Sequence, residues 1–585
     1  MRSQVNAPLS SKQKPMLQKV LIYLTLNLCI LCPLSHAETS PMSTSKQPVG
    51  IEADPSSAEQ SLPQKEGKND QSIQIRSPHL RLTQVILHDA TDHNNELVQE
   101  KHWLLYPRQG KLELSGNLFL VEDPVKQTGI LWIKEAPLPH ARPTKSKYDL
   151  KVSPLGSAGY SFTLKEDATG PTWTTIKYTG GALERAKALQ EWQQAQRPTT
   201  TGHQTVRFLS NTWGDRSRDG RMREDFILSE IDAAATLGVD VLQLDDGWQK
   251  GTTANSKDAA KNGGVWEGFW KTDPDFWTVH PERFPNGLEG VLDYAKSQGI
   301  QIGLWYAPDS WNDFANWRLD ADRILELHNQ YGVDHFKVDS INFKSEIGRQ
   351  HLHALFDRVL EGSSGQVIFD LDITAGTRPG YFGAIDVGPL FVENRYTDWR
   401  NYWPHHTLRN LWKLSHWIAP QRLRMEFLNN QRNADKYGND PLAPAQYPAD
   451  TLFASVMFSN PLGWFECSGL PEDYIATAAP LIETWKAHRE ALFQGTILPI
   501  GNEPNGIVPT GFLSVSDDRK SGYLLAFREL APDSRISMPV PEGLDFQDIE
   551  WEVLYSDGEV DTENGFFSIQ IPNKLGFVFA RFSSH

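Results

Sequence analysis

The decapeptide Tyr331-Gly332-Val333-Asp334-His335-Phe336-Lys337-Val338-Asp339-Ser340 places a lysine and an aspartate two residues apart in a short apolar run. Gly332 suits the left-handed position that closes a helix, and His335 to Val338 then reads as a four-residue strand. Side chains two apart on a strand share a face, so Lys337 and Asp339 point the same way. A neighbouring ammonium lowers a carboxyl pKa and keeps it ionised. An ionised carboxylate at a strand tip can act as a covalent nucleophile. Taken alone, the pair could equally be an ion pair that seals a surface.

More acids stand at the ends of other apolar runs. Candidate strands at Val206 to Asn211, Val239 to Asp246, Ile300 to Tyr306, Val367 to Asp372, Pro389 to Glu393 and Leu423 to Leu428 end on or near Asn211, Asp245, Asp246, Trp305, Asp370, Asp372, Glu393 and Glu426. So many carboxylates would be costly as unpaired core. Aromatic residues are interleaved with them: Trp213, Trp248, Trp266, Trp270, Trp277, Trp305 and Trp403. Carboxylates alone could suit Mg²⁺ or Ca²⁺, but acids beside flat rings, with no basic phosphate cradle, point to neutral sugar chemistry. The Asp245-Asp246 pair also admits a plain Asx turn.

The elements that must position these residues repeat. A helical stripe of Ile227, Ile231, Ala234 and Leu237 ends at Gly238 and a strand follows. Leu288, Val291, Leu292 and Ala295 repeat this before Gly299, and Ile324, Leu327 and Tyr331 before Gly332. Helix-to-strand alternation argues for a parallel sheet. Seven strand candidates, with an eighth near Leu462 to Phe465, suit a (β/α)₈ TIM barrel. A doubly wound sheet would carry a Gly-rich phosphate loop after its first strand, and none is present. Helical spacing after Pro480, with Ile482, Trp485 and Ala487, is expected to close the barrel.

Flanking the barrel, the pattern switches to period two. Ile73 to Arg76, Leu112 to Leu120 and Tyr148 to Val152 alternate apolar and polar residues, and so do Tyr523 to Phe527 and Phe577 to Phe582. These read as antiparallel β domains, the first a β-sandwich. A helix from Ala182 to Gln194 bridges the first to its neighbour. The expected organisation is a signal peptide at 1–37, a disordered linker at 38–71 and an N-terminal β-sandwich domain at 72–200. A catalytic barrel follows at 201–495 and a C-terminal antiparallel β domain at 496–585.

At the amino terminus, Lys12, Lys14 and Lys19 precede the apolar run Val20 to Leu34, and Ser35-His36-Ala37 supplies small residues for cleavage. Met16 is a possible alternative start. The run is short and broken by Asn27 and Pro33, which favours a cleaved signal over a membrane anchor. It predicts a secreted or periplasmic protein with no stable membrane insertion. Cys29 and Cys32 would leave with the signal, and Cys467 alone cannot form an intrachain disulfide. A net charge of −16 argues against a nucleic-acid partner.

Taken in order, Leu244-Asp245-Asp246-Gly247-Trp248, Asp275-Phe276-Trp277, Pro281 to Leu288, Gly303-Leu304-Trp305-Tyr306 and Phe336-Lys337-Val338-Asp339 resemble the α-galactosidase clan of glycoside hydrolases. The run is most similar to family 36, the melibiases, over about residues 205 to 345. The resemblance implies an N-terminal β-sandwich, a (β/α)₈ barrel and a C-terminal β domain. It implies Asp339 as nucleophile, Lys337 as a contact to sugar hydroxyls, and Asp245 with Asp246 as the holders of galactose O4 and O6. Trp277 aligns with a tryptophan that packs on the sugar, and Trp305 joins the substrate contacts.

For the acid/base, the family pattern of arginine then aspartate falls on Arg395 and Asp398 with one residue fewer between them, and Glu393 is the competitor. Asp372 stands where the family has a different fifth-strand contact, so specificity there can differ. The implied activity is retaining removal of terminal α-linked galactose from carbohydrate substrates, with no cofactor. The alternatives are a clan relative acting on N-acetylgalactosamine or β-L-arabinopyranose, a transglycosylase, or a glycan-binding protein with a degenerate barrel.

Overall fold

The computed structural model describes residues 70–91, 94–106, 110–144, 146–156, 159–166, 172–215, 217–374, 378–392, 402–546 and 549–584. The expected signal peptide and nearly all of the expected linker lie outside these. Among the described residues, no helix is long and apolar enough to cross a membrane.

Residues 71–179 form two antiparallel sheets. The larger runs in the order Val98–Leu104, Arg81–Leu87, Leu118–Asp123, Thr128–Lys134, Trp173–Thr179. The smaller runs Gln71–Ile75, Tyr160–Leu164, Leu150–Pro154, Leu112–Leu114. Alternate residues of a strand face opposite ways, and here both faces of the larger sheet are apolar. Phe119 and Val121 pack with Leu82, Trp132 and Phe162 between the two sheets. Leu118 and Leu120, with Val85, Leu131 and Ile133, join the cluster that contains the barrel's own core. The larger sheet is thus wedged between its partner sheet and the barrel.

Eight parallel strands close the barrel: Leu209–Asn211, Val241–Leu244, Gln301–Tyr306, His335–Val338, Ile368–Asp372, Leu390–Val392, Leu423–Phe427 and Asn460–Gly463. Closure is by Leu209 pairing with Leu462. The doubly wound alternative is therefore excluded. The fourth strand has the bounds expected from sequence. The helix before it, Trp317–Tyr331, ends at Gly332, whose φ is +67° and whose N–H donates to the His328 carbonyl at 2.8 Å. A β-carbon would be strained there.

Three expectations need correction. The first strand begins at Leu209 rather than Val206. The eighth runs Asn460–Gly463 rather than from Leu462 to Phe465, because Pro461 sits inside it and hides the strand pattern. The closing helix spans Glu472–Gln494 and holds Pro480 in its interior. Pro480 and Ala476, whose carbonyl loses its helical partner to the proline, both lie on the exposed side of the helix. Leu481, Ile482 and Trp485 are buried, whereas Ala487 is exposed.

Residues 496–584 form a five-stranded and a three-stranded antiparallel sheet around Leu513, Phe546, Phe567 and Phe582. The helix Ala182–Ala195 adds Leu183 and Ala186 to that core. Its Gln190 amide donates to the Ile497 carbonyl at 2.7 Å and accepts from the Ile497 N–H at 3.1 Å. The helix therefore ties the first strand of this region to the chain that precedes the barrel.

Candidate active site

Parallel barrel strands all end at one rim, so the residues at their carboxyl ends converge. There Trp213, Asp245, Asp246, Trp305, Lys337, Asp339, Asp372 and Arg378 line a cavity of about 510 Å³.

Lys337 stands at its floor. Its Nζ lies 3.1 Å from Asp245 Oδ2 and 3.6 Å from Asp372 Oδ2. The ring centroids of Phe391 and Trp464 are 4.5 and 4.8 Å from the same nitrogen. A buried ammonium is tolerable only when paired, and here two carboxylates share it. Asp245 is held further by the Asn211 amide, which donates to Oδ2 at 2.9 Å, and by the Asp246 N–H, which donates to Oδ1 at 2.9 Å.

Asp246 turns the other way. It accepts from Gln249 Nε2 at 2.7 Å and from the Thr253 hydroxyl. Burial, with the nearby Asp245 and Asp219 charges, pushes its carboxyl up to about 7 against the pull of those hydrogen bonds. Gly247 after it has φ +118°, and a β-carbon there would lie 2.5 Å from both Arg283 and Asp219. Arg283 explains part of the Pro281 to Leu288 motif: its guanidinium donates to the Gly247 carbonyl at 2.8 Å and pairs with Asp219 at 2.8 Å.

Asp339 follows the fourth strand, and its N–H donates to the Tyr306 carbonyl at 2.9 Å. Its side chain is 20% exposed, toward the cavity. Oδ1 accepts from the Ser340 N–H at 2.6 Å and lies 3.1 Å from Arg378 Nη2. Oδ2 accepts from Trp305 Nε1 at 3.3 Å. Ser340 holds a left-handed φ of +54°, a strained state for a residue with a β-carbon, and its N–H is thereby aimed at the carboxylate. Burial pushes the Asp339 carboxyl upward, but the Arg378 and Lys337 charges and the two hydrogen bonds more than offset it, so its pKa lies below the ordinary aspartate value. Burial and then the Asp339 charge push Asp372 the opposite way.

The sequence expectation that the Lys337 charge keeps Asp339 ionised is therefore only part of the account. Lys337 contacts Asp245 and Asp372, and the cation in contact with Asp339 is Arg378. Its Nη1 also donates to the Asp372 carboxylate and to the Asp372 carbonyl, both at 2.9 Å. Arg378 was not singled out from sequence. The available signal was an arginine six residues behind a strand-end aspartate.

Of the expected site residues, Asp245, Asp246, Trp305, Lys337, Asp339 and Asp372 are brought together. Trp277 is not among them. It is 0% exposed and lies behind Trp305, stacked on Tyr306 at 4.2 Å, so it supports the wall and cannot touch a sugar in this geometry. Asp370 sits one layer deeper than Asp372 on the same face and pairs with Arg424 at 2.6 Å. Glu426 is fully buried and away from the cavity lining. Glu393, Arg395 and Asp398 lie outside the described residues.

Chemically, the floor offers an ionised carboxylate with one lightly bonded oxygen, a set of hydroxyl-binding acids around one ammonium, and an indole wall. The sequence matches no family model. Over 104 residues, 18% of this chain, it is 36% identical to an α-galactosidase of Escherichia coli, and over 106 residues it is 32% identical to the α-galactosidase Mel36A of Lactobacillus acidophilus. These alignments span only 13% and 12% of the relatives' lengths.

The fold likeness is much wider. The family GH36 α-galactosidase AgaA of Geobacillus stearothermophilus matches with a TM-score of 0.63 at 13% identity, over 88% of this chain and 76% of that one. The α-galactosidase of Lactobacillus brevis matches with a TM-score of 0.60 at 13% identity, over 88% and 75%. A variant of AgaA solved with raffinose gives 0.62. In its ordered barrel motifs, in local sequence identity and in its three-part fold, this chain is similar to the family 36 α-galactosidases.

Proposed function

We propose that this chain is a retaining α-galactosidase that releases terminal α-linked galactose from oligo- or polysaccharides by double displacement. The observation that carries the reading is Asp339, an ionised carboxylate on the cavity floor, fixed by Arg378, Trp305 and the Ser340 N–H.

Oδ1 already carries two donors, so Oδ2 is the oxygen that attacks the anomeric carbon as the glycosidic C–O bond breaks. The leaving oxygen takes a proton from the acid/base, which then deprotonates the water that releases the sugar. Asp398 is our first assignment for that group and Glu393 the second. A retaining enzyme needs the two carboxyls roughly 5–5.5 Å apart, and both candidates follow the sixth strand in sequence. Asp245 offers an acceptor and Lys337, paired with it, a donor to the galactose hydroxyls, and Asp246 adds a second acid beside them. A buried acceptor that an epimeric hydroxyl would leave unpaired gives selectivity.

One observation favours a second reading, a related clan sugar. Asp372 occupies the fifth-strand position where the resemblance implies a different contact, and it holds both Lys337 and Arg378. A panel of nitrophenyl glycosides of galactose, N-acetylgalactosamine and β-L-arabinopyranose separates the two. The raffinose bound to the AgaA variant supports a carbohydrate substrate. The amino-terminal apolar run supports a secreted or periplasmic location, and the three-part layout supports a catalytic barrel flanked by two β domains.

The decisive experiment replaces the nucleophile. Asp339→Ala should abolish turnover of nitrophenyl α-galactoside while keeping the fold. Added azide should restore reaction as a glycosyl azide of inverted configuration. Wild-type activity in that variant would falsify the assignment.

A further inference from the structure

The face of the larger N-terminal sheet that meets the barrel is apolar along only part of its length. Val85, Leu118, Leu131 and Ile133 pack into the barrel's cluster. Further along the same strands, the register sets His102, Thr83 and Leu120 side by side, and then Leu104, Arg81 and Glu122. These alternate positions share the face of Val85. There the sheet and the barrel part, and a cavity of about 930 Å³ opens between them. It is larger than the cavity of about 510 Å³ at the catalytic rim, and no described residue lines both.

The opposite wall is the end of the helix Pro404–Leu414, which follows the sixth strand, and the turn after it. A helix that follows a barrel strand runs back along the outside of the barrel. Trp412 stands eight residues from Pro404, roughly 12 Å along the axis, so this cavity lies away from the rim. Trp412 is half-buried and fixed. Its Nε1 donates to the Ile500 carbonyl at 3.0 Å, and the His416 ring lies against it at 4.7 Å and 83°. Burial, with the Arg185 and Lys413 charges, pushes His416 down to about 3, so its neutral imidazole carries one donor and one acceptor.

Arg81 is the register partner of Glu122, yet Glu122 is turned away from it. It accepts from the Tyr178 hydroxyl at 2.6 Å and lies 3.6 Å from Arg185. Gly129 makes room for this, since a β-carbon there would meet the Tyr178 ring at 2.2 Å. Arg81 is exposed and has no ion pair among the described residues. Its guanidinium is left to solvent or to a ligand.

From this geometry we propose that the cavity is a second carbohydrate site, for a neutral sugar chain, set apart from the catalytic one. Trp412 is its platform and Arg81 its open donor. The lining selects that class. Glu100, Glu122 and Glu503 balance Arg81, Arg185 and Lys413, which leaves no net charge to favour an ionic ligand. An indole with an imidazole, carboxylates and a guanidinium around it suits a ring carrying several hydroxyls. The volume falls within the range of small-molecule sites, about 300–1,000 Å³. Two sites on one molecule make a sugar chain a divalent ligand, so the second holds the chain near the first. The inference goes beyond the galactosidase reading and rests on it only for the choice of probe.

Affinity electrophoresis through guar galactomannan, a neutral polymer bearing α-galactose, reads the site without turnover. In the Asp339→Ala background, which leaves the polymer uncut, the gel should retard the protein. Adding Trp412→Ala should weaken the affinity roughly tenfold, and adding Arg81→Ala at least about threefold. No retardation of the parent, or equal retardation of the parent and both variants, overturns the site. Retardation by polygalacturonate in place of galactomannan overturns the neutral class. With Asp339 intact, Trp412→Ala should lose rate on dilute galactomannan and keep kcat/KM on nitrophenyl α-galactoside within about twofold. An equal loss on both substrates means that the helix has shifted, and the exposed Arg81→Ala then decides alone. Should the intact chain hydrolyse no galactoside while retardation still depends on Trp412 and Arg81, the galactosidase reading falls and the second site stands.

Discussion

Arg378 links two carboxylates that would otherwise repel, one at 3.1 Å and one at 2.9 Å. Without it, burial dominates at Asp339 and the carboxyl pKa rises. A nucleophile must be ionised, so the acid limb of the kcat/KM profile should move to higher pH in Arg378→Ala. Losing a charged hydrogen bond of roughly 1.5–3 kcal/mol should also cost at least about tenfold in kcat/KM near neutrality. Arg378→Lys should recover part of both effects, since it restores charge but not the forked geometry. A pH profile that keeps its acid limb in Arg378→Ala would show that the guanidinium does not hold Asp339 ionised. Sequence could not reveal this residue's partner, because Arg378 comes from a loop with no periodicity to fix its direction. Trp277 failed for a related reason: a motif gives the residue but not which side of a wall its ring occupies. Asp245, Lys337 and Asp339 were legible because strand period alone turns each of them inward.

At the level of the element, the second, third and fourth barrel strands each follow a helix that stops at a left-handed glycine, Gly238, Gly299 and Gly332. Gly332 has φ +67° and open space where a β-carbon would stand. Gly332→Ala should therefore destabilise through backbone strain alone, by about 1–2 kcal/mol. Chemical denaturation should report that loss while kcat stays unchanged, because the site residues remain aligned. A fall in kcat without a fall in stability would mean that the turn tunes the site and does not merely close the helix. The same logic explains what the sequence conveyed of the fold. Glycine stops followed by apolar runs located the second, third and fourth strands to within two residues. The eighth was displaced because its proline contradicts strand propensity, and pairing with the seventh strand and with Leu209 and Ser210 of the first makes it a strand. The helix Glu472–Gln494 was read too short because Pro480 looked like a boundary.

On the scale of the whole molecule, the two apolar faces of the larger N-terminal sheet matter most. Residues 72–200 produced alone should expose the face carrying Val85, Leu118, Leu120, Leu131 and Ile133. Such a patch invites association. The isolated fragment should bind the dye ANS and aggregate, and a soluble, dye-negative monomer would contradict the wedge. The wedge also sets a clock during synthesis. The last strand of that sheet ends at Thr179, and the barrel closes only with the strand ending at Gly463, roughly 280 residues later. At ordinary translation rates that interval is on the order of half a minute. For that time the newborn sheet has one face covered and one bare, so the order in which the ribosome delivers this chain leaves an apolar surface waiting for the barrel that will cover it.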